Sequence, residues 1–427
     1  MRDSRSSVLI SADAAEDPDP RVLEPGDPFR ILIAGDFSGR ANRGLRTSLA
    51  GRRPVPIDRD NFDDVMAAVK PSLDLPGQRL EFLELDDFHP DRLYPLLHKP
   101  APLLPAPAPA PAPPAASNGS LLDRMLEESG DAPEPAPEFK GDLAEFLRKV
   151  VSPHLETPKD PVEELRQALA GASAASALNA ILHHADFQAL EAAWRAALLL
   201  VRGLDTDGDL RIFLYDATLP ELAGDPEGTA KLLAPREPWS LVVGNYVFGQ
   251  SAPYAAVLGR LAKSAASGGA AFLAEALPPS GNGEAPEWTA LRRSPEARFV
   301  GLAMPRFLLR LPYGKETSPV DSADFEEMPE SVHAHYLWGN PAFCCAYLLA
   351  QGGVRRRIEG LPLHAYREDG EEKIKPCAEV LLTEQQAEDL LDQGIMPLAT
   401  LKNQDAVLVV RFQSIASPAA ALEGRWG

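Results

Sequence analysis

Short apolar runs alternate along the chain with stripes of apolar residues at helical spacing. Residues 29–34, reading FRILIA, are apolar but for Arg30 and are closed by Gly35 and Asp36, the mark of a buried strand. Phe62, Val65, Met66 and Val69 then fall at i, i+3, i+4 and i+7, which predicts a helix opened by Asp60 and stopped by Pro71. Residues 80–85 (LEFLEL) read as a second strand, and residues 87–97 as a short helix around Leu93, Leu96 and Leu97. Together these make a compact β-α-β-α unit.

A larger set of elements follows from residue 161 onward. Asp186 is placed to cap a long helix carrying Phe187, Leu190, Trp194, Leu198 and Val201 on one face. Leu210, Ile212 and Leu214 alternate as a strand, and residues 240–246 (SLVVGNY) form another. Tyr254, Val257, Leu258, Leu261 and Ala265 mark the next helix, and residues 270–274 (AAFLA) the next strand. Strand, helix, strand implies a parallel sheet with helical cover, hence an α/β fold. Thr383 and Gln386 form a capping box for a helix ending at Gly394, and residues 406–412 (AVLVVRF) are the last clear strand.

Between the two patterns lies PAPLLPAPAPAPAPPAA, residues 100–116. Proline fixes φ and alanine offers nothing to bury, so this is an extended spacer that spans roughly 50 Å at ~3.1 Å per residue. It divides the chain into a polar, flexible arm (1–28), a first unit (29–99), the linker (100–119), an amphipathic helix with a flexible segment (120–160) and a second unit (161–427). In residues 120–128 (SLLDRMLEE), Leu121, Leu122, Met125 and Leu126 share one side. Two readings stand for it: an apolar face awaiting a partner, or a helical turn without consequence in a linker.

Composition narrows the function. A formal net charge of −20 argues against nucleic-acid binding, which wants basic patches. No apolar stretch reaches transmembrane length, and none near the amino terminus forms a signal peptide. Cys344, Cys345 and Cys377 make no disulfide framework, which points to a reducing cytoplasm. His333, His335 and His364 with Cys344 and Cys345 fit no structural zinc spacing, and the two adjacent cysteines lie in an apolar helical stretch, so they read as buried small hydrophobes. The consecutive pair His183 and His184 diverges on a helix, and the acidic run from Asp205 to Asp209 lacks the closing glutamate of a calcium loop and reads as a turn. There is no phosphate loop, no G-x-S-x-G elbow and no dinucleotide fingerprint, which counts against an enzyme and implies no cofactor.

Longer motifs carry a family likeness. FRILIAGDFSGR, PVPIDRDNFDDVMAAVKPSL and LEFLELDDFHPDRL resemble the small subunit of the bacterial type VI secretion sheath (TssB, or VipA). LNAILHHADFQALEAAWRAALLLV, RFVGLAMPRFLLRLPYGKETSPVDSADFEE, YLWGNPAFCCAYLLA and EGLPLHAYREDG resemble the large subunit (TssC, or VipB). The resemblance implies two interlocked α/β units, without catalysis, that stack helically around an inner tube and contract. Its implied partners are other sheath subunits or the baseplate, and an AAA+ unfoldase that docks on a helix similar to residues 120–129, with Leu121, Leu122, Met125 and Leu126 as the docking face.

Two departures from the family pattern shape the expectation. The two subunits are normally separate chains, and here the Pro/Ala spacer joins them. The large-subunit likeness ends near Gln413 and Ser414, without the tail that resembles a supplier of linking strands, and the small-subunit linking strand is reduced to Val8, Leu9 and Ile10. Strand exchange gives affinity through main-chain hydrogen bonds, so weak linking strands imply a sheath cap, nucleator or adaptor. The alternatives are a full single-chain sheath protomer and a regulator binding the unfoldase.

Overall fold

The computed structural model describes residues 27–97 apart from 77, and 174–425 apart from 280–283, 354, 369 and 401–402. The Pro/Ala spacer and Leu121, Leu122, Met125 and Leu126 lie outside the described residues, as do residues 1–26 of the arm. The N-terminal segment supplies β1 (Phe29–Gly35), β2 (Val55–Ile57), α1 (Phe62–Val69), β3 (Ser72–Leu75), β4 (Gln78–Glu81) and α2 (Pro90–Leu97). The second segment opens with α3 (Ala174–Leu182), α4 (Ala185–Gly203), β5 (Leu210–Asp216), α5 (Leu219–Gly224), α6 (Pro226–Leu233) and β6 (Leu241–Phe248). Next come α7 (Ala252–Ser267), β7 (Ala271–Ala276), α8 (Pro286–Arg292), β8 (Val300–Met304), β9 (Phe307–Leu308) and β10 (Trp338–Gly339). It closes with α9 (Ala342–Ala350), β11 (Arg357–Glu359), β12 (His364–Glu368), β13 (Glu371–Lys375), α10 (Glu384–Asp392), β14 (Ile395–Thr400) and β15 (Ala406–Val409).

The two segments share one nine-stranded sheet in the order β11-β15-β14-β8-β7-β6-β1-β5-β2. Strand β1 lies inside it, parallel to β5 from Phe29 opposite Leu210 to Gly35 opposite Asp216, and parallel to β6 from Ile31 opposite Leu241. This explains the unbroken apolar run from Ile31 to Ala34, because a strand between parallel neighbours is covered on both faces. Ile31 and Ile33 pack with α1, α4 and α9 on one face, and Leu32 and Ala34 with α5, α6 and α7 on the other. The units are therefore not held apart as the spacer would allow; they interlock through the sheet, as the family resemblance implies.

The N-terminal segment is not the self-contained β-α-β-α unit that its pattern suggests. Its first strand belongs to the large sheet, and β3 and β4 form a separate hairpin. The strand expected over 80–85 ends at Glu81, because the Asp87 carboxylate takes the amides of Leu83 (2.7 Å) and Glu84 (3.1 Å) and turns the chain into a 3₁₀ turn, Leu85–Phe88. The cap of α1 is Asn61 rather than Asp60, whose amide is tied back to Asp58 Oδ1 at 3.0 Å. At α4 the cap is His184, whose Nδ1 accepts the Asp186 amide at 3.3 Å. Asp186 itself turns to accept from Asn42 Nδ2 at 2.8 Å. The Thr383–Gln386 capping box is present as expected, and Gly394 closes that helix end at φ +78°.

Candidate functional site

In an open α/β sheet, ligands bind outside the carboxyl ends of the strands where the strand order reverses. Here that point lies at β1, which the chain crosses in passing from β5 to β6 through α5 and α6. Gly35 ends β1 against Asn245, where a Cβ would stand 2.8 Å from that residue's own Cβ. The loop that follows, GDFSGR, turns at Gly39 in the left-handed region (φ +71°), pressed against the Ser72 carbonyl.

That loop fills the crevice with the chain's own arginines. Asp216, at the end of β5, accepts the amides of Phe37 (2.9 Å) and Ser38 (3.0 Å) and pairs with Arg40 at 2.8 Å. Glu221, buried at the first turn of α5, pairs with Arg40 at 3.0 Å and Arg52 at 2.6 Å and accepts the amides of Thr47 and Thr218, each at 2.9 Å. Burial raises the Glu221 carboxyl, but the Arg52 bond, the two amides and the Arg40 charge outweigh it and hold the pKa at about 2. Burial pushes Asp36 up, and it accepts the amides of Arg40 (2.9 Å) and Ala41 (2.8 Å). The crevice is thus a set of satisfied ion pairs between the two segments.

Aromatic packing continues the seam. Trp194 of α4 is wholly buried, donates from Nε1 to the Phe37 carbonyl at 2.9 Å, and meets Phe37 and Phe62 edge-on at 5.3 and 5.7 Å. Phe82 stacks on Phe88 at 4.3 Å, and both meet Phe187. Asp91 of α2 accepts the amides of Asp321 (3.3 Å) and Ser322 (2.8 Å).

Behind the seam lies a second buried charge cluster. The guanidinium of Arg310 forks between Glu191 on α4 (Nε 2.8 Å) and Glu327 (Nη1 2.7 Å). Glu327 also accepts the Tyr313 amide at 2.7 Å, and Arg195 pairs with Glu191 at 2.7 Å. Burial would raise the Glu327 carboxyl; the Arg310 charge overrides it and leaves the pKa at about 2. Neither cluster is evident from motif or spacing. The signals were Glu191 within the apolar stripe of α4 and Arg310 within the apolar run FLLRLP, since a charge at a core position demands a partner.

The imagined zinc ligands are not brought together. His333 Nε2 bonds Glu379 at 3.1 Å, His364 Nδ1 bonds the Tyr336 hydroxyl at 2.8 Å, and Cys344 and Cys345 are buried in the core. His183 stacks face to face on His335 with ring centroids 3.7 Å apart. Among the described residues, no group of three or more His, Cys, Asp and Glu is placed to hold a metal ion. The Asp205–Asp209 run is the turn between α4 and β5.

The seam gives a direct stability prediction. Glu221→Ala leaves Arg52 without its carboxylate and is expected to cost up to about 3 kcal/mol, read as a lower urea midpoint. The folded carboxyl lies below its unfolded value, so its contribution is fully present above about pH 4.5 and disappears as pH falls through about 2. The variant and the parent should converge in that acid window.

A segment that threads one strand between two of another segment's strands and adds a second at the sheet's edge, with the seam sealed by ion pairs and aromatic rings, defines a two-part α/β structural module. The VipB family (tail sheath N-terminal domain) matches residues 171–280 and 281–416, and the VipA family of the type VI secretion system matches residues 27–104. The chain belongs to the type VI secretion sheath proteins and carries both family segments in one polypeptide. It is similar to type VI secretion system sheath protein TssC1 of Pseudomonas aeruginosa strain PAO1, 32% identical over 313 residues, which is 61% of this chain and 63% of that protein. The chain thus spans less than two thirds of that relative's length. Among solved structures, the contracted helical sheath of the anti-feeding prophage is 19% identical over 53% of this chain and 54% of that one, with a TM-score of 0.29, a likeness too slight to argue from. No described helix is long and apolar enough to cross a membrane.

Proposed function

We propose that this chain is a preassembled sheath protomer without a catalytic role, holding in one polypeptide the body that the family otherwise divides between two subunits. The observation that supports this is β1 between β5 and β6. A strand in the middle of a sheet leaves only if both neighbouring ladders open, which ties the two family segments together in the folded chain. Joining them in one chain also converts their pairing into an intramolecular event. Stoichiometry is then fixed at one to one. This reading places the chain in the cytoplasm, with other sheath subunits as its partners.

A second reading, a cap, nucleator or adaptor at the end of a sheath or at the baseplate, draws on the outer strand β2. It has three residues, and Pro54 and Pro56 withhold amide donors there, so that edge is poor for strand addition. Negative-stain electron microscopy of the purified chain, alone and with a cognate sheath pair, separates the readings. Tubes from the chain alone support the protomer. Discrete particles that shorten sheaths or decorate their ends support the cap. Particles that leave sheaths unchanged sink both.

A further inference from the structure

Two surfaces of this chain pair exposed leucines with charges of opposite sign, and they lie on opposite faces of the sheet. The first is a groove of about 480 Å³ between the loop after β1 and the stretch from Val69 to Leu83. Leu45 and Leu83 stand at its mouth, 45% and 57% exposed. Arg40, Arg43, Lys70 and Arg79 line it, with Glu81 as its one carboxylate. Arg43 donates to the main-chain carbonyls of Gly39 and Ser38, and Lys70 is exposed at the left-handed end of α1. Arg79 touches Asp74 at 3.5 Å and Glu81 at 3.3 Å, both solvent-exposed, so these pairs are weak.

The second surface opens α10. Val380 and Leu381 are 46% and 50% exposed just ahead of the helix. The helix, EQQAEDLLD, turns Ala387, Leu390 and Leu391 inward and leaves Glu384, Glu388, Asp389 and Asp392 outward, with no basic residue among them. Two adjoining exposed apolar residues beside charges of one sign offer both apolar area and an attractive field to a basic partner surface.

The two surfaces cannot meet within one chain. Phe62, Val65, Leu73 and Leu80, under the groove, pack into the core on one side of the sheet, and Leu390 of α10 packs into the core on the other. We infer that the groove receives the turn at Val380 and Leu381 and the acidic first turn of α10 from a second copy of this chain. The leucines supply apolar burial, and the arginines and lysine meet Glu384 and Glu388. Copies with a net charge of −20 repel in most orientations, so an acidic helix is drawn to a surface with an excess of basic residues such as this groove. The contact is heterologous: each copy docked this way still presents a free groove at one face or a free helix at the other. It therefore propagates from copy to copy instead of closing as a dimer. This inference rests on the sheath reading above and names the surfaces that reading would use.

Disulfide trapping tests it with the full chain. A copy bearing Leu83→Cys is mixed with a differently tagged copy bearing Leu381→Cys under mild oxidation; the native cysteines are all buried. The mixed 83–381 disulfide should form at least about tenfold more than when Glu227→Cys, exposed on α6, replaces Leu381→Cys. Glu384→Lys with Glu388→Lys on the second copy should lower the yield about tenfold, and Arg43→Glu with Lys70→Glu on the first copy should restore it. A disulfide that ignores these reversals overturns the assigned match. Growth of mass in light scattering without an 83–381 disulfide overturns this interface and leaves the sheath reading standing. No growth of mass at any accessible concentration overturns both.

Discussion

Arg310→Ala is expected to cost about 3–5 kcal/mol, a large share of a typical folded margin, because it leaves two buried carboxylates without their shared cation. Glu191 and Glu327 are 0% and 1% exposed, and the guanidinium fork between them is the charge they share. Arg195 stays with Glu191, but Glu327 keeps only the Tyr313 amide as a close donor, with His183 Nε2 at 3.6 Å. Arg310→Lys restores the charge without the two-sided fork, so it should fall between the variant and the parent. The pH dependence has a defined sign. In the parent the Glu327 carboxyl sits at about 2, below its unfolded value, so its stabilisation is present above about pH 4.5 and fades as pH falls through about 2. Without Arg310 the same carboxyl loses the charge that held it down, and protonation relieves the burial. The gap between variant and parent should therefore shrink on acidification from pH 7 toward pH 4, measured as urea midpoints by tryptophan fluorescence. A gap below about 1 kcal/mol at pH 7 would mean that the cluster is held by something other than this fork.

These elements are legible in the sequence to different degrees, for physical reasons that differ from residue to residue. FRILIA announced a strand covered on both faces, but a run of apolar residues carries no address. Its partner β5 begins at Leu210, and only the folded register identifies it. LEFLEL has the apolar pattern of a strand over 80–85, but the strand stops at Glu81 because the Asp87 carboxylate competes for the amides that a longer one would need. Arg40, Arg52 and Glu221 look like ordinary surface charges in sequence. They become a seam because the loop after β1 folds over the end of β5, a contact across more than a hundred residues. The family motifs, by contrast, carried the interlocking of the two segments, which periodicity alone had divided at the spacer.

Trp194→Ala should destabilise by about 3–5 kcal/mol, and its effect should be local to the N-terminal segment. The indole is fully buried, and its removal opens a cavity between Phe37 and Phe62 while orphaning the Phe37 carbonyl that Nε1 satisfies. These partners all belong to the N-terminal segment, whereas Trp194 sits on α4. Hydrogen exchange should therefore quicken most at Phe29–Gly35 and Phe62–Val69, and less at Ala271–Ala276 and Val300–Met304. Trp288→Ala is the matched control, an equally buried indole on α8 that packs in the core across the sheet. It should lower stability without favouring the N-terminal segment. Exchange that quickens uniformly in the Trp194 variant would mean that the two segments open together, with no separable seam. The interlock would then rest on the ladders of β1 with β5 and β6, and the aromatic contacts would be packing like any other.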